Sequence, residues 1–310
     1  MLRYLLIILT VLVISRSLHG QQDVLYSQYM FDKMLINPAY AGSSKWVVGS
    51  LKNRMQFVKM EGAPVTNILT FQAPVQIKNI GLGLKVIQDN IAVTNSLTAT
   101  GFFSYHIGFG KGRLSFGLEG GIRYDSYNYD ELIRTDPDDP AILPGTGSTL
   151  VPEISTGIFY QSSLFYVGAA AYHLVRPGSP ESLIGTTGIP LIRRSFYGTG
   201  GVFIPISDNF ILEPGFLVKY MAGAPFQVDA NLSAILFERF ALGLSYRSKD
   251  AAVAYLKVDI TKNIRIMYSY DYRISELASY SGGSHEIALS YGIELLPPPE
   301  KKVIHPRYYF

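Results

Sequence analysis

The chain of 310 residues has no cysteine, one tryptophan, five histidines and only 16% charged residues. Without cysteine there is no disulfide framework, no thiolate metal or iron–sulfur site and no thiol nucleophile. The charge content is well below the roughly 25% of ordinary soluble domains. A disordered chain would be charge-rich and poor in aromatics, whereas this one carries 22 Tyr and 17 Phe. A formal charge of +3 is too small to mark a nucleic-acid binder. Beyond the first twenty residues, no apolar run approaches the ~20 residues that a membrane-crossing helix needs.

Residues 1–20 read as a secretory leader: Arg3, an apolar core from Leu5 to Ile14, then small and polar residues. Cleavage near Gly20 removes two of the 27 basic residues and none of the 24 acidic ones, leaving a formal charge of +1. The mature chain is therefore exported. No cysteine follows the leader to carry a lipid anchor.

Period-two alternation runs through most of what remains. In 113–123, Leu114, Phe116, Leu118 and Ile122 share one face, and Ser115, Gly117, Glu119 and Arg123 the other. In 264–272, Ile264, Ile266, Tyr268, Tyr270 and Tyr272 alternate with Arg265, Met267, Ser269 and Asp271. At helical spacing the same residues would scatter polar and apolar groups around every face, so these are strands. The polar face is unlike that of a soluble sandwich, which is crowded with Lys, Glu and Thr. Here it holds Gly, Ser, Ala and a few charges of both signs. That suits a filled barrel lumen with the apolar face toward lipid and Tyr near the strand ends as interfacial girdles.

About fourteen such runs are expected, near 45–52, 65–74, 80–88, 96–107, 112–123, 152–160, 163–173, 196–205, 209–219, 226–234, 237–247, 251–259, 263–272 and 284–295. The longest interruptions, 124–151, 174–195 and 273–283, fall on odd-numbered connections, and short turns such as 161–162, 206–208 and 260–262 on even ones. Outer-membrane barrels segregate loops in this way, with short turns and both termini on the periplasmic side. The fold class is thus all-β: a single transmembrane antiparallel barrel over 45–296. A segment at 21–44 precedes it, reading as a periplasmic or plug element. A Pro-rich tail at 297–310 follows it and reads as extended, polyproline-type chain.

Enzymatic chemistry finds little support. His106 and His173 sit near strand ends with no acidic neighbour in sequence. In Ser284-His285-Glu286, successive side chains point to opposite faces, so no triad forms locally. Asp136, Asp138 and Asp139 lack the glycine and terminal glutamate of an EF-hand loop and read as an exposed acidic connection. There is no GxxxxGK[ST] loop, and Gly81-x-Gly83 lies inside a strand. No catalytic residue, metal site or cofactor is expected. A ring of about fourteen strands also permits a water-filled lumen, so a passive porin is the alternative. Its charges, among them Arg113, Glu119, Arg123, Glu213, Lys219, Arg247, Lys257, Asp259, Arg265 and Asp271, would line a path or lock one another.

The stretch 22–43 reads QDVLYSQYMFDKMLINPAYAGS. It resembles the signature of the PorP/SprF family of type IX secretion system membrane proteins, close to QDPxFSQYMFNxxxxNPAYAG. Val24 and Asp32 depart from that pattern. Arg54-x-Gln56-Phe57, Tyr268-Ser269-Tyr270-Asp271 and Gly283-Ser284-His285-Glu286 are similar to further family elements. The resemblance implies a multi-pass outer-membrane barrel that acts in secretion of adhesins or other surface proteins, and often in gliding motility. It implies as partners the other secretion components and the C-terminal domains of secreted cargo. Within the motif, Gln28, Tyr29, Phe31, Asn37, Pro38, Tyr40 and Gly42 are the candidate partner-binding residues. The other reading of the same segment is structural. It is too polar and Pro-interrupted for a helix or lipid-facing strand. Its aromatic residues need burial, and Gly42 permits a bend into the first strand.

Overall fold

The computed structural model describes residues 24, 26–75, 79–128, 130, 145–175, 193–221, 224–279 and 281–295. The expected leader 1–20, the motif residues Gln22 and Asp23, the acidic connection with Asp136, Asp138 and Asp139, and the tail 297–310 lie outside them.

Fifteen strand segments form: β1 (Trp46–Met55), β2 (Val65–Val75), β3 (Ile80–Ile91), β4 (Thr94–Phe109), β5 (Gly112–Asn128), β6 (Thr146–Ser162), β7 (Phe165–Tyr172), β8 (Ser195–Val202), β9 (Ile204–Ser207), β10 (Phe210–Met221), β11 (Gln227–Leu236), β12 (Phe240–Arg247), β13 (Ala251–Asp259), β14 (Ile264–Arg273) and β15 (Ser284–Glu294). β8 and β9 both pair with β10 and form one stave. It is interrupted at Phe203, whose side chain is buried and whose N–H donates to the Leu164 carbonyl at 2.7 Å. Each stave pairs antiparallel with the next, β10 joins β11, and β1 joins β15, so fourteen staves close into a ring. Closure removes the unpaired edges that an open sheet would expose.

Why these residues make such a ring follows from which side of each strand meets which medium. On β1, Ser50, Lys52 and Arg54 are buried while Leu51 and Met55 are exposed. On β14, Arg265, Ser269, Asp271 and Arg273 are buried while Ile266, Tyr268 and Tyr272 are exposed. Polar side chains lie inside and apolar ones outside, the reverse of a water-soluble core, and this is stable only where the outer medium is hydrocarbon. Exposed tyrosines gather toward both rims: Tyr124, Tyr220, Tyr246 and Tyr272 at one, Tyr105 and Tyr291 at the other. Among the described residues no helix is long and apolar enough to cross a membrane; the strands cross it.

The two ends of the ring differ. At one end, the turn end, β1 starts, β15 finishes, and the connections 110–111, 163–164, 208–209, 237–239 and 260–263 are short. At the loop end lie 56–64, 129–145, 173–194 and 274–283, but also the short 92–93 and 248–250. Segregation by parity is therefore partial, because the wall is uneven in height. β5 and β6 each run 17 residues and β12 only 8. β5 and β6 outrun their expected bounds because their pairing continues through polar residues, from Arg123↔Val151 to Asn128↔Thr146. There the apolar contrast fades although the ladder does not. β1 likewise extends to Met55, since the charge on Arg54 points into the ring.

Candidate functional site

Residues 27–43 lie inside the ring, and almost every side chain among them is buried. A chain with no strand partner must satisfy its own polar backbone, and this one does so with tight turns. Phe31 N–H donates to the Gln28 carbonyl (3.1 Å), Asp32 to Tyr29 (3.2 Å), and Ser43 to Tyr40 (3.0 Å). Short 3-10 turns form at Lys33–Leu35 and Pro38–Tyr40. Asn37 caps the second by accepting the Ala39 N–H through Oδ1 at 3.0 Å, and Pro38, which has no N–H to leave unpaired, takes the first position.

The seven candidate residues are all brought together in this segment, and each packs against the inner wall. Gln28 Nε2 donates to the Glu286 carbonyl at 2.8 Å. The Tyr29 hydroxyl accepts from Asn231 Nδ2 at 2.7 Å. Phe31 meets Tyr255 edge-on at 5.6 Å, and Tyr40 meets Phe159 edge-on at 5.3 Å. Asn37 Nδ2 donates to the carbonyls of Ile158 (2.9 Å) and Ala169 (3.2 Å). Pro38 is buried beside Ala39. Gly42 has φ +57 and donates to Gln72 Oε1 at 3.2 Å. A Cβ there would come within 2.5 Å of the Gly81 Cα, so two bare backbones touch. Gly117 is another close approach, since a Cβ on it would sit 2.1 Å from the Ala39 nitrogen.

Charge holds the segment at the loop end. Ser27 N–H donates to Glu286 Oε2 at 2.9 Å, and Ser27 Oγ donates to Asp271 Oδ2 at 2.8 Å. The same hydroxyl accepts from Arg54 (2.9 Å) and Arg247 (3.3 Å). Arg54 pairs with Asp271 at 2.7 Å and Glu286 at 3.0 Å, and all three side chains are fully buried. Arg247 pairs with Asp229 at 3.0 Å and Asp271 at 3.3 Å. Deeper in, Asp32 pairs with Lys52 at 2.9 Å and accepts from Thr70 at 3.1 Å. Lys33 donates to the Met30 carbonyl at 2.8 Å and lies 4.3 Å from the Tyr166 ring centre, with Glu213 at 3.9 Å. Buried charges are tolerated only when paired in this way.

Ser27 lies in the motif, Arg54, Asp271 and Glu286 in the further family elements, and Asp271 among the expected lumen charges; nothing in the sequence joins the four, and the structure makes one clamp of them. It also corrects the reading of His173, which has an acidic partner: its Nδ1 lies 2.6 Å from Glu153 Oε2. His106 instead lies between Ser104 (3.2 Å) and Ser115 (2.7 Å). His285 faces outward to the Tyr268 hydroxyl at 2.7 Å, while Ser284 and Glu286 face in, as alternation predicts.

A family model described as type IX secretion system membrane protein PorP/SprF matches residues 18–291. No curated protein matches the chain. Among solved structures, the outer-membrane protein Omp33 of Acinetobacter baumannii is similar at 8% identity and a TM-score of 0.45, over 80% of this chain and 96% of that one. The toluene transporter TbuX of Ralstonia pickettii is similar at 12% identity and a TM-score of 0.49, over 91% and 97%.

Proposed function

This chain belongs to the PorP/SprF family of type IX secretion system membrane proteins, and from that premise we propose that it is a closed outer-membrane anchor for secreted cargo. Family membership makes it a non-enzymatic membrane component of the secretion system. In the proposal, residues 24–44 act as a plug, and the barrel engages the C-terminal domain of an adhesin or other surface protein at its rims. The observation that carries the reading is the clamp. Arg54, Asp271 and Glu286 are fully buried, pair with one another, and are each bonded by Ser27 of the segment. A conducting lumen would keep such charges hydrated. The candidate residues of the motif are reachable by a partner only if the segment leaves the ring, so rim and connections are where recognition belongs.

The test has two arms on the purified full-length barrel. In planar bilayers the wild type should be silent, and a variant lacking 24–43 should conduct. From native outer membrane under mild extraction, the wild type should co-purify with a secreted C-terminal domain, and exchange of the 56–64 connection should reduce that recovery. Steady wild-type conductance with no cargo recovered would instead make it a passive pore.

A further inference from the structure

The segment does more than fill the ring: it runs through it from one end to the other. Val24 and Tyr26 border a small cavity with Lys219, Gln227 and Arg247, at the loop ends of β10, β11 and β12. Ser27 bonds Arg54 and Asp271 near the loop ends of β1 and β14. At its other extremity, the Ala41 carbonyl accepts from Ser104 at 2.6 Å toward the turn end of β4, and the Ser43 carbonyl accepts from Arg113 at the start of β5. Lys45 then accepts from the Leu295 N–H at 3.2 Å, so the chain enters β1 beside the end of β15. Val24 and Leu295 thus lie at opposite ends of the barrel.

We infer that the mature amino terminus is displayed on the cell-surface side, next to the loop ends of β10, β11 and β12, while the carboxyl terminus faces the periplasm. Short connections at the turn end set the sidedness, since outer-membrane barrels keep short turns periplasmic. Such a placement of the amino terminus departs from the expectation that both termini are periplasmic, and distance supports it. With the leader ending near Gly20, three residue steps separate the mature start from Val24, at most ~11 Å of chain. The ten residues of β1 rise about 33 Å along the strand, and ~25 Å along the axis at a tilt near 40°. The terminus cannot return to the turn end. A mechanical consequence follows: the segment is covalently joined to β1 at the turn end and free at the loop end. It can leave the lumen only toward the periplasm, drawing its free end inward, so the sidedness of the amino terminus reports whether the ring is filled. This holds whether or not the rim binds cargo.

The absence of cysteine makes the test direct. Asp23→Cys and Lys302→Cys each give the full-length protein a single thiol, and intact cells are treated with a membrane-impermeant maleimide. The expected result is at least tenfold more labelling of the Asp23→Cys protein than of the Lys302→Cys protein, with the latter reacting only after permeabilisation. Protection of Asp23→Cys until permeabilisation overturns the inference, and so does labelling of Lys302→Cys on intact cells. Heat-modifiable migration confirms assembly of each variant, and Gln22→Cys replaces Asp23→Cys if that protein fails to assemble.

Discussion

Removing Arg54 should loosen the segment without opening the wall. Arg54 is fully buried, pairs with Asp271 and Glu286, and donates to Ser27 Oγ. Arg54→Met keeps much of the volume and deletes the charge. Breaking a buried ion pair from one side costs about 3–5 kcal/mol, because the remaining charge is stranded. Here the loss falls unevenly. Asp271 retains Arg247 at 3.3 Å, whereas among the described residues the Glu286 carboxylate keeps only the hydrogen bond from the Ser27 N–H. The lower bound, about 3 kcal/mol, is therefore the expected penalty. Since 1.4 kcal/mol is tenfold, the undocked fraction should rise on the order of a hundredfold. The ladder pairs of Arg54, with Thr66 and Glu286, use backbone groups and persist, so the barrel should still assemble.

The assay is open probability in planar bilayers, normalised to folded barrel. Adding Glu286→Gln to Arg54→Met should recover about tenfold of closure, because the stranded carboxylate is then neutral. If Arg54→Met assembles and stays as silent as the wild type, the clamp does not hold the segment. If Glu286→Gln worsens the single variant, the penalty is not a stranded charge.

Other parts of the segment give independent tests through tryptic cleavage after Lys33, which is buried in the docked state. Gly117→Ala puts a Cβ 2.1 Å from the Ala39 nitrogen and should cost roughly 1–3 kcal/mol, raising the cleavage rate about fivefold or more; Gly120→Ala on the same strand meets nothing within 4 Å and should leave it unchanged. Asn37→Asp removes two donated hydrogen bonds and sets a carboxylate against the Ile158 and Ala169 carbonyls; at about 3 kcal/mol it should raise cleavage about a hundredfold with heat-modifiable migration intact. Leu118→Arg acts on the wall instead: the side chain is 58% exposed on the outer face, and a charge near mid-membrane costs about 2–4 kcal/mol, so the yield of folded barrel in the outer membrane should fall.

The wall was legible in the sequence for a simple reason. Lipid on one side and a polar interior on the other impose contrast at every second residue, and all fourteen staves carry it. Legibility failed where the contrast failed. β5 and β6 continue as a ladder past Tyr124 and Leu150, through Asp125, Ser126, Ser148 and Thr149, with no apolar outer face to announce it. The break at Phe203 is a backbone event in an otherwise alternating run. For the site, burial of the motif aromatics was readable from composition. Their partners were not, because Arg54, Asp229, Asp271 and Glu286 sit on the same polar face as every other inward residue, and nothing local distinguishes a charge that meets the segment from one that meets its neighbour strand.

What unites them is closure. Arg54 and Glu286 are register partners across the seam where the first strand meets the last, and Asp271 lies one stave further on, opposite Ser284. Residues separated by more than two hundred positions become adjacent only when β1 pairs with β15. A slip of one residue in that pairing would turn Arg54 or Glu286 toward lipid, with the penalty of an unpaired charge in hydrocarbon. Ser27, bonded to Arg54, Asp271 and Glu286, adds a contact that only the correct register supplies. On the proposed reading the amino-terminal segment does two things at once: it plugs the lumen, and it favours the one closing register in which Ser27 finds all three partners.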